Sequence, residues 1–341
     1  MRRSFSIVAI GLVAVVMAPL STAWSEDGTS AQDNEIFAAE AESSAIQFVH
    51  HFPMLVDPSI GYALSQTNQT PTATGKASVV EPGLVGRVAL YTYGKRRDKD
   101  GSIQPGLIEV PLSSECAYPD PPGPQQVTQS GTMQPPSTDK QSKDPDTGAG
   151  IAVCRSDARP GNYAHASSGE GVAGGLSFRN IAATSTTERQ DSGNVVAKSE
   201  ATLRGVSIAD VMTIDEIASS VSAISGRAEG SETATAAVHV VGAIVQGQRV
   251  AITDSGVVVK DPQPGTSLAD AQKSVDDALS KAGLSIRLVN ATHNQGAEPG
   301  KATAYSGGVV VSYVNDKAEK ALSYILGQSR VFSKHHRSGA E

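Results

Sequence analysis

The side chains that could do chemistry are dispersed, and their spacing decides what they can build. Seven histidines occur. His50 and His51 are adjacent, so an extended strand sends them to opposite faces. His165, His239 and His293 stand alone on segments that read as strands, and His335-His336 lies in the tail. Hydrolysis through a nucleophile needs a base and an orienting acid within hydrogen-bond reach. Serines abound, but no G-x-S-x-G elbow is present. Ser137-Thr138-Asp139-Lys140 has the S-x-x-K spacing of penicillin-recognising enzymes, without the rigid helix that chemistry requires. Residues 96–102, RRDKDGS, mimic a calcium loop. Aligning Gly101 with the loop glycine, however, puts Arg96 at the first ligand position and Leu107 where a bidentate glutamate belongs, so a charged turn is expected. Asp210, Asp215 and Glu216 are close in the chain and read as a solvated turn. Glycosidase carboxylates need no local motif, which keeps a secreted hydrolase as a third reading. Spaced pairs of the zinc type are missing. The expectation is no catalytic residue, no cofactor and no metal site.

Cys116 and Cys154 are the only two cysteines. An isolated pair in an exported chain is expected to form one structural disulfide. Closing a loop of about 39 residues would stabilise the fold by about 4 kcal/mol in the chain-entropy model. A redox pair would call for C-x-x-C spacing, and metal binding for further ligands.

The elements that must position these groups are organised around two copies of one unit, residues 181–214 and 217–252. Ile181 matches Ile217, Gly205 matches Gly242, and Ile214 matches Ile252. Each copy is a β-rich run, a polar turn, a second β-rich run ending at a glycine, and a short apolar run. In the first copy Ala197, Ser199, Ala201 and Leu203 alternate with Lys198, Glu200, Thr202 and Arg204, the pattern of a half-buried strand. Residues 190–194 and 229–233 are the hairpin turns. Gly205 and Gly242 read as points where the sheet bulges or bends. Residues 285–314 look like a looser third copy, and 318–332 fit either a helix or, better, a closing strand. Residues 266–283 form the one clear helix: Ser267 and Asp270 make a capping box, Gly283 stops it, and Leu268, Ala271, Val275, Ala278, Leu279 and Ala282 share one face. Burying Leu268, Val275 and Leu279 against a sheet would contribute about 2 kcal/mol each. The fold class that follows is mainly β with one or two helices (α+β), a large twisted antiparallel sheet of long hairpins covered by an amphipathic helix.

Arg2 and Arg3, the apolar run 5–20 and Ser21-Thr22-Ala23 make residues 1–23 a secretory signal peptide, with Sec and twin-arginine export both compatible. The apolar run is short for a membrane span, and no second one follows, so no transmembrane anchor is expected. The acidic, small residues 24–44 read as a disordered lead-in, 45–335 as one elongated β-rich domain, 117–150 as a flexible Pro-rich loop within it, and 336–341 as a disordered tail. Beyond the signal, 26 Lys and Arg face 35 Asp and Glu, a net charge of −9, which argues against a nucleic-acid partner. Aromatics are only 4%, so the core must be wide and thin.

Residues 160–315 resemble a group of secreted bacterial proteins of unknown function, through EATLRGVSIADVMTI, GQRVAITDSGVVV, and the helix followed by IRLV. The resemblance implies a fold type and an extracellular location, and no activity. The first reading is an exported non-enzymatic protein, secreted or in the cell envelope, acting as an interaction or structural component. The alternative is a carrier holding an apolar small molecule, such as a lipid, between sheet and helix.

Overall fold

Alternation with a period of two governs this chain even where the side chains are very small. In the computed structural model, residues 35–44 are not a disordered lead-in but the first part of a long strand. Phe37, Ala39, Ala41 and Ser43 are buried on one face, while Glu40 and Glu42 lie on the other. Acidic and small residues suggest disorder by composition, yet alanine and serine suffice as core residues when two sheets lie very close. The structure describes residues 35–50, 58–69, 72–82, 95–97, 103–105, 113–118, 139–143, 150–157, 161–226, 228, 230–295, 298–314 and 320–337. All belong to one compact unit, Asn34–Glu341. Residues 1–23, expected to be a signal peptide, and residues 98–102 of the stretch that mimics a calcium loop lie outside the described residues.

Along the chain, β1 (Glu35–His50), β2 (Ser59–Asn68) and β3 (Thr72–Glu81) are followed by β4 (Lys95–Arg97) and β5 (Ile103–Pro105), which pair with each other, and by β6 (Ser113–Tyr118). Then come β7 (Asp139–Lys143), β8 (Gly150–Asp157), β9 (Gly161–Ser168), β10 (Gly171–Ala173), β11 (Leu176–Phe178) and β12 (Asn180–Arg189). The long β13 (Val195–Ile208) and β14 (Met212–Ser225) precede β15 (Thr233–Val241), β16 (Ile244–Val245), β17 (Gln248–Thr253) and β18 (Gly256–Asp261). Helix α1 (Leu268–Lys281) leads to β19 (Leu284–Val289), β20 (Thr292–Gln295), β21 (Lys301–Tyr305), β22 (Gly308–Val314) and β23 (Lys320–Arg337). The fold is thus mainly antiparallel β with a single helix among the described residues.

Two sheets carry the fold. One runs β19-β22-β23-β1-β2-β3-β6, with β21 on β23 and β20 beyond it; the other runs β18-β17-β16-β14-β13-β12-β9-β8-β7, with β15 on β14. Three expectations about order change. Residues 117–150 are not wholly loop: Ala117 and Tyr118 lie in β6, β7 pairs with β8, and β8 starts at Gly150. β7 reads DKQSK because it is the outermost strand, where polar side chains protect an edge. His336 and Arg337 are not tail but pair with Ile36 and Glu35. Residues 320–332 are strand, and 284–314 is a hairpin nested in a hairpin, β20–β21 inside β19–β22. The two sequence copies share β14: it closes the first and opens the second.

The sheets face each other, and over much of their area the space between them is filled by alanine and serine. Ser65 Oγ lies 3.0 Å from Ser185 Oγ, Ser219 Oγ 2.9 Å from Ser329 Oγ, and Ser225 Oγ 2.8 Å from Ser333 Oγ, each pair joining the two sheets. Other serines reach the facing backbone, as Ser114 Oγ donating to the Ala152 carbonyl at 2.8 Å and Ser43 Oγ to that of Thr184 at 3.1 Å. Facing strands such as β13 and β23 bring Cα atoms within 8 Å of each other, closer than the about 10 Å usual for stacked sheets.

This tight packing ends along a line. Gly61, Ala45 and Gly327 lie abreast in one sheet, and Gly205, Asp215 and Gly242 abreast in the other. Gly205 (φ +59°) and Gly327 (φ +71°) sit inside long strands in a left-handed conformation, and Gly242 has φ +67°. Across the line the alternation inverts: Ala201 and Leu203 are buried, and then Val206 and Ile208; Tyr324 and Leu326, and then Ser329 and Val331. At this line the core thickens: Ile181, Leu203 and Ile217 stand just before it, and Ile208, Met212, Ile214 and Tyr324 lie beyond it. A Cβ on Gly327 would stand 2.8 Å from Ile217 Cγ2, so the thick core starts flush against the bend.

Helix α1 covers the end of this thick core, against β18 and β19. Ser267 Oγ accepts from the Asp270 amide at 3.1 Å, and Gly283 (φ +64°) follows the last turn. Ala271, Val275 and Leu279 are buried, whereas Leu268 is 56% exposed, because it lies in the first turn, before the helix reaches the sheet. Gln272 also closes a strand edge: its Oε1 accepts from the Val259 amide at 2.9 Å and its Nε2 donates to the Val257 carbonyl at 3.0 Å. Gln295 does the same for β15, accepting from the Ala234 amide at 3.1 Å.

Three outcomes test this account in urea or thermal denaturation. Gly327→Ala is expected to cost about 2 kcal/mol or more, through its backbone strain and the clash with Ile217. Gly230→Asn, at φ +77° with open space around it, should change stability by less than about 0.5 kcal/mol. Ser219→Ala, leaving the buried Ser329 hydroxyl without this partner, should cost about 1–2 kcal/mol, and the Ser219→Ala/Ser329→Ala double variant less than the sum of the singles.

Candidate functional site

The residues singled out by type are kept apart by the fold. His50 lies in β1, His165 in β9, His239 in β15, His293 in β20, and His335 and His336 in β23; His51 lies outside the described residues. Asp139 and Lys140 of the S-x-x-K stretch belong to strand β7, and Ser137 and Thr138 lie outside the described residues. Asp210 is in the β13–β14 turn with φ +55°, but Asp215 and Glu216 are not turn residues: both lie in β14 at the bend, where the inverted alternation turns two successive side chains outward. Glu216 Oε2 accepts from Arg204 Nε at 2.8 Å, an exposed pair. The Asp215 carboxylate occupies the place where a Gly242 side chain would be, and Arg179 crosses over Gly205 in the same way. No group of three or more His, Cys, Asp or Glu able to hold a metal occurs among the described residues.

Cys116 and Cys154 are buried in one small alanine-rich cluster, Cys116 on β6 and Cys154 on the facing β8. They are not at disulfide distance, so the expected bridge is not formed here. Cys116 meets Ser156, two residues after Cys154: Ser156 Oγ lies 3.3 Å from Cys116 Sγ and 3.2 Å from Asn162 Oδ1. The Cβ of residue 75 would collide with that Asn162 amide, so Gly75 gives it room.

The densest polar arrangement lies on the outward face of the nine-stranded sheet, and no local motif announced it. Register places Arg330 beside Glu42, and Glu40 beside Gln66. Arg330 pairs with Glu42 and lies 3.7 Å from Glu40; Gln66 Nε2 donates to Glu40 Oε2 at 2.9 Å; Thr74 Oγ1 donates to Gln66 Oε1 at 3.3 Å. A hydrogen-bonded ladder thus crosses β23, β1, β2 and β3. Next to it Lys76 pairs with Glu81 and lies 5.5 Å from the centre of the Tyr62 ring. Burial, then Glu42 and Glu81, push the Tyr62 hydroxyl far above the ordinary tyrosine range. Burial alone would lower Arg330, but Glu42 and Glu40 outweigh it and hold the guanidinium charged.

At the β21–β23 end this face deepens into a groove of about 310 Å³, lined by Thr292, Asn294, Thr303, Tyr305 and Arg330. Burial raises the Tyr305 hydroxyl above its usual range. A larger open cleft of about 750 Å³ runs beside α1, between β18 and β19, with Gln272, Asp276, Ser280 and Lys281 among its walls. Leu279 of the helix and Val257, Leu284 and Ile286 of the sheet also line it, while Ala271 and Val275 are buried between helix and sheet.

No known protein family and no curated protein matches the chain. Among solved structures, OccK9 (OpdG) of Pseudomonas aeruginosa aligns at 9% identity over 89% of this chain and 99% of its own, with a TM-score of 0.14. OccAB3 of Acinetobacter baumannii aligns at 7% identity over the same shares, also with a TM-score of 0.14. Scores that low carry no argument about fold or function.

His165 supplies a pH test. It is half-buried, its Nδ1 lies 2.9 Å from Thr184 Oγ1, and its ring stacks on Tyr163 at 6.4 Å. Burial lowers its pKa below the ordinary 6.5. The unfolded chain therefore takes up this proton first, so the contribution is complete above about pH 6.5 and is lost as pH falls through and below that value. Melting temperatures should fall from about pH 6.5 downward, and His165→Gln should flatten that part of the profile. An unchanged acid slope in the variant would assign the effect to other groups.

Proposed function

We propose that the chain is an exported, non-enzymatic protein that works through its surface, as an interaction or structural component outside the cell or in its envelope. One observation carries this reading: the serine bridges at 2.8–3.0 Å between the sheets. Where side chains of one sheet touch those of the other directly, the interior is spent on bracing the fold, and anything the protein recognises meets it from outside. The outward faces have the composition for that role. Lys198, Glu200, Thr202 and Arg204 line β13, and Glu40, Glu42, Gln66, Thr74 and Lys76 line β1 to β3. A transmembrane barrel would place an apolar band at such positions. Export rests on the basic start, apolar run and small-residue site of residues 1–23.

The carrier alternative would need an enclosed apolar site between α1 and the sheet; Ala271 and Val275 are buried there, and the cleft that reaches Leu279, Leu284 and Ile286 is open and has Gln272, Asp276, Ser280 and Lys281 among its walls. Organic extraction of the purified protein followed by mass spectrometry is expected to yield no stoichiometric lipid; one lipid per chain would reinstate the carrier. The enzymatic alternative is tested with chromogenic ester, peptide and glycoside substrates. Turnover above buffer that disappears in Asp215→Asn or Glu216→Gln would overturn the non-enzymatic reading.

A further inference from the structure

The outward face of the nine-stranded sheet combines three features that narrow its partner. The first is charge balance. Arg330 is met by Glu42 and Glu40, Lys76 by Glu81, and Lys301 by Glu298 at 2.8 Å. Cations held by carboxylates are poor attractors for phosphate, sulfate or an acidic chain, and the carboxylates are likewise compensated against a basic one. The second is the supply of groups that both donate and accept. Thr292, Asn294 and Thr303 line the groove, and Gln66 and Thr74 continue the ladder, all uncharged. The third is aromatic surface beside them. Tyr305 stands next to Arg330 in register, and Phe332 next to Thr303, so the two rings are diagonal neighbours across β21 and β23. Lys301 Nζ lies 5.9 Å from the centre of the Phe332 ring, which keeps that side chain along the sheet.

A ligand matched to this face is uncharged, carries many hydroxyls that donate and accept, and has C–H surfaces to lay on aromatic rings. That is a neutral glycan. A protein partner would instead call for a desolvated apolar anchor at the centre of the patch, and the centre here is the Arg330–Glu42 pair. We propose that this face binds a neutral polysaccharide, with one sugar unit seated in the groove at Asn294, Thr303 and Tyr305 and the chain running across the strands along the Arg330–Glu40–Gln66–Thr74 ladder. From β20 to β3 the path crosses six strands, about 24 Å at the usual strand spacing, long enough for several sugar units. The inference deepens the surface reading given above and depends on it.

Affinity electrophoresis of the chain lacking residues 1–23, in gels containing hydroxyethyl cellulose, dextran, galactomannan or, as an anionic comparison, alginate, tests this directly. Retardation by at least one neutral polymer is expected. Tyr305→Ala should weaken it by about tenfold or more, the equivalent of one good contact of about 1.4 kcal/mol, and Asn294→Ala should weaken it too. Tyr305→Phe, which keeps the ring, should retain most of it, and Thr202→Ala on the opposite outer face should leave it unchanged. Thermal melts of each variant separate lost binding from lost folding. Failure of every neutral polymer, retardation by alginate alone, or undiminished retardation in well-folded Tyr305→Ala and Asn294→Ala would overturn the proposal. A blank with all the polymers, together with no substrate turnover, refutes the glycan while leaving the surface reading standing; turnover lost in a carboxylate variant refutes the surface reading itself.

Discussion

Contact between hydroxyl groups of facing sheets is the constraint on which this structure depends. A serine hydroxyl reaches its counterpart only when the two backbones lie far closer than leucine or isoleucine would allow, so Ser65–Ser185, Ser219–Ser329 and Ser225–Ser333 dictate what else can stand between the sheets. Ala41, Ala63, Ala164, Ala183 and Ala197 fit, and all are fully buried. A hydroxyl removed from water there without a partner costs about 1–3 kcal/mol; the bridging serines avoid that cost, whereas Thr67, Thr187 and Ser199 do not. The bonds thus select the spacing, and the spacing selects the side chains.

Such an interior buries little apolar area per residue, and the fold compensates at its other end. Along the line through Gly61, Gly327, Gly205 and Gly242 the strands reverse their alternation and open around large aliphatic residues. The two regions cannot grade into each other, because one long side chain in the thin part would hold the sheets apart along its whole neighbourhood. A left-handed residue within a continuous strand makes the change abrupt. The same reversal brings Asp215 and Glu216 to the outside together, so their closeness is a by-product of bending the sheet.

The sequence was informative where a pattern is local. The alternation in β13, the capping box and stop of α1, and the β-rich hairpins follow from neighbouring residues. Composition misled wherever the core was thin: residues 35–44 look too polar and small to fold, although Phe37, Ala39, Ala41 and Ser43 form a regular inward row. Leu268 illustrates the opposite error, an apolar residue at the right helical phase but one turn too early to be covered. The polar face around Arg330 was illegible, because Arg330 and Glu42 are 288 residues apart and only strand pairing brings them together. The cysteines were paired by elimination, and the strands that carry them set the two sulfurs out of reach.

The pairing of β1 with β23 also bears on the order in which the molecule can come into being. β1 is held between β2 and β23 and matches β23 residue by residue from Glu35↔Arg337 to His50↔Leu322. During synthesis, therefore, β1 emerges long before its neighbour β23, and the nine-stranded sheet cannot close until β23 has been made. Folding dominated by such distant contacts is slow. The twelve-stranded sheet, whose strands β12 to β15 pair with their neighbours in sequence, is free of that wait, so the two halves of one interior become available at different times.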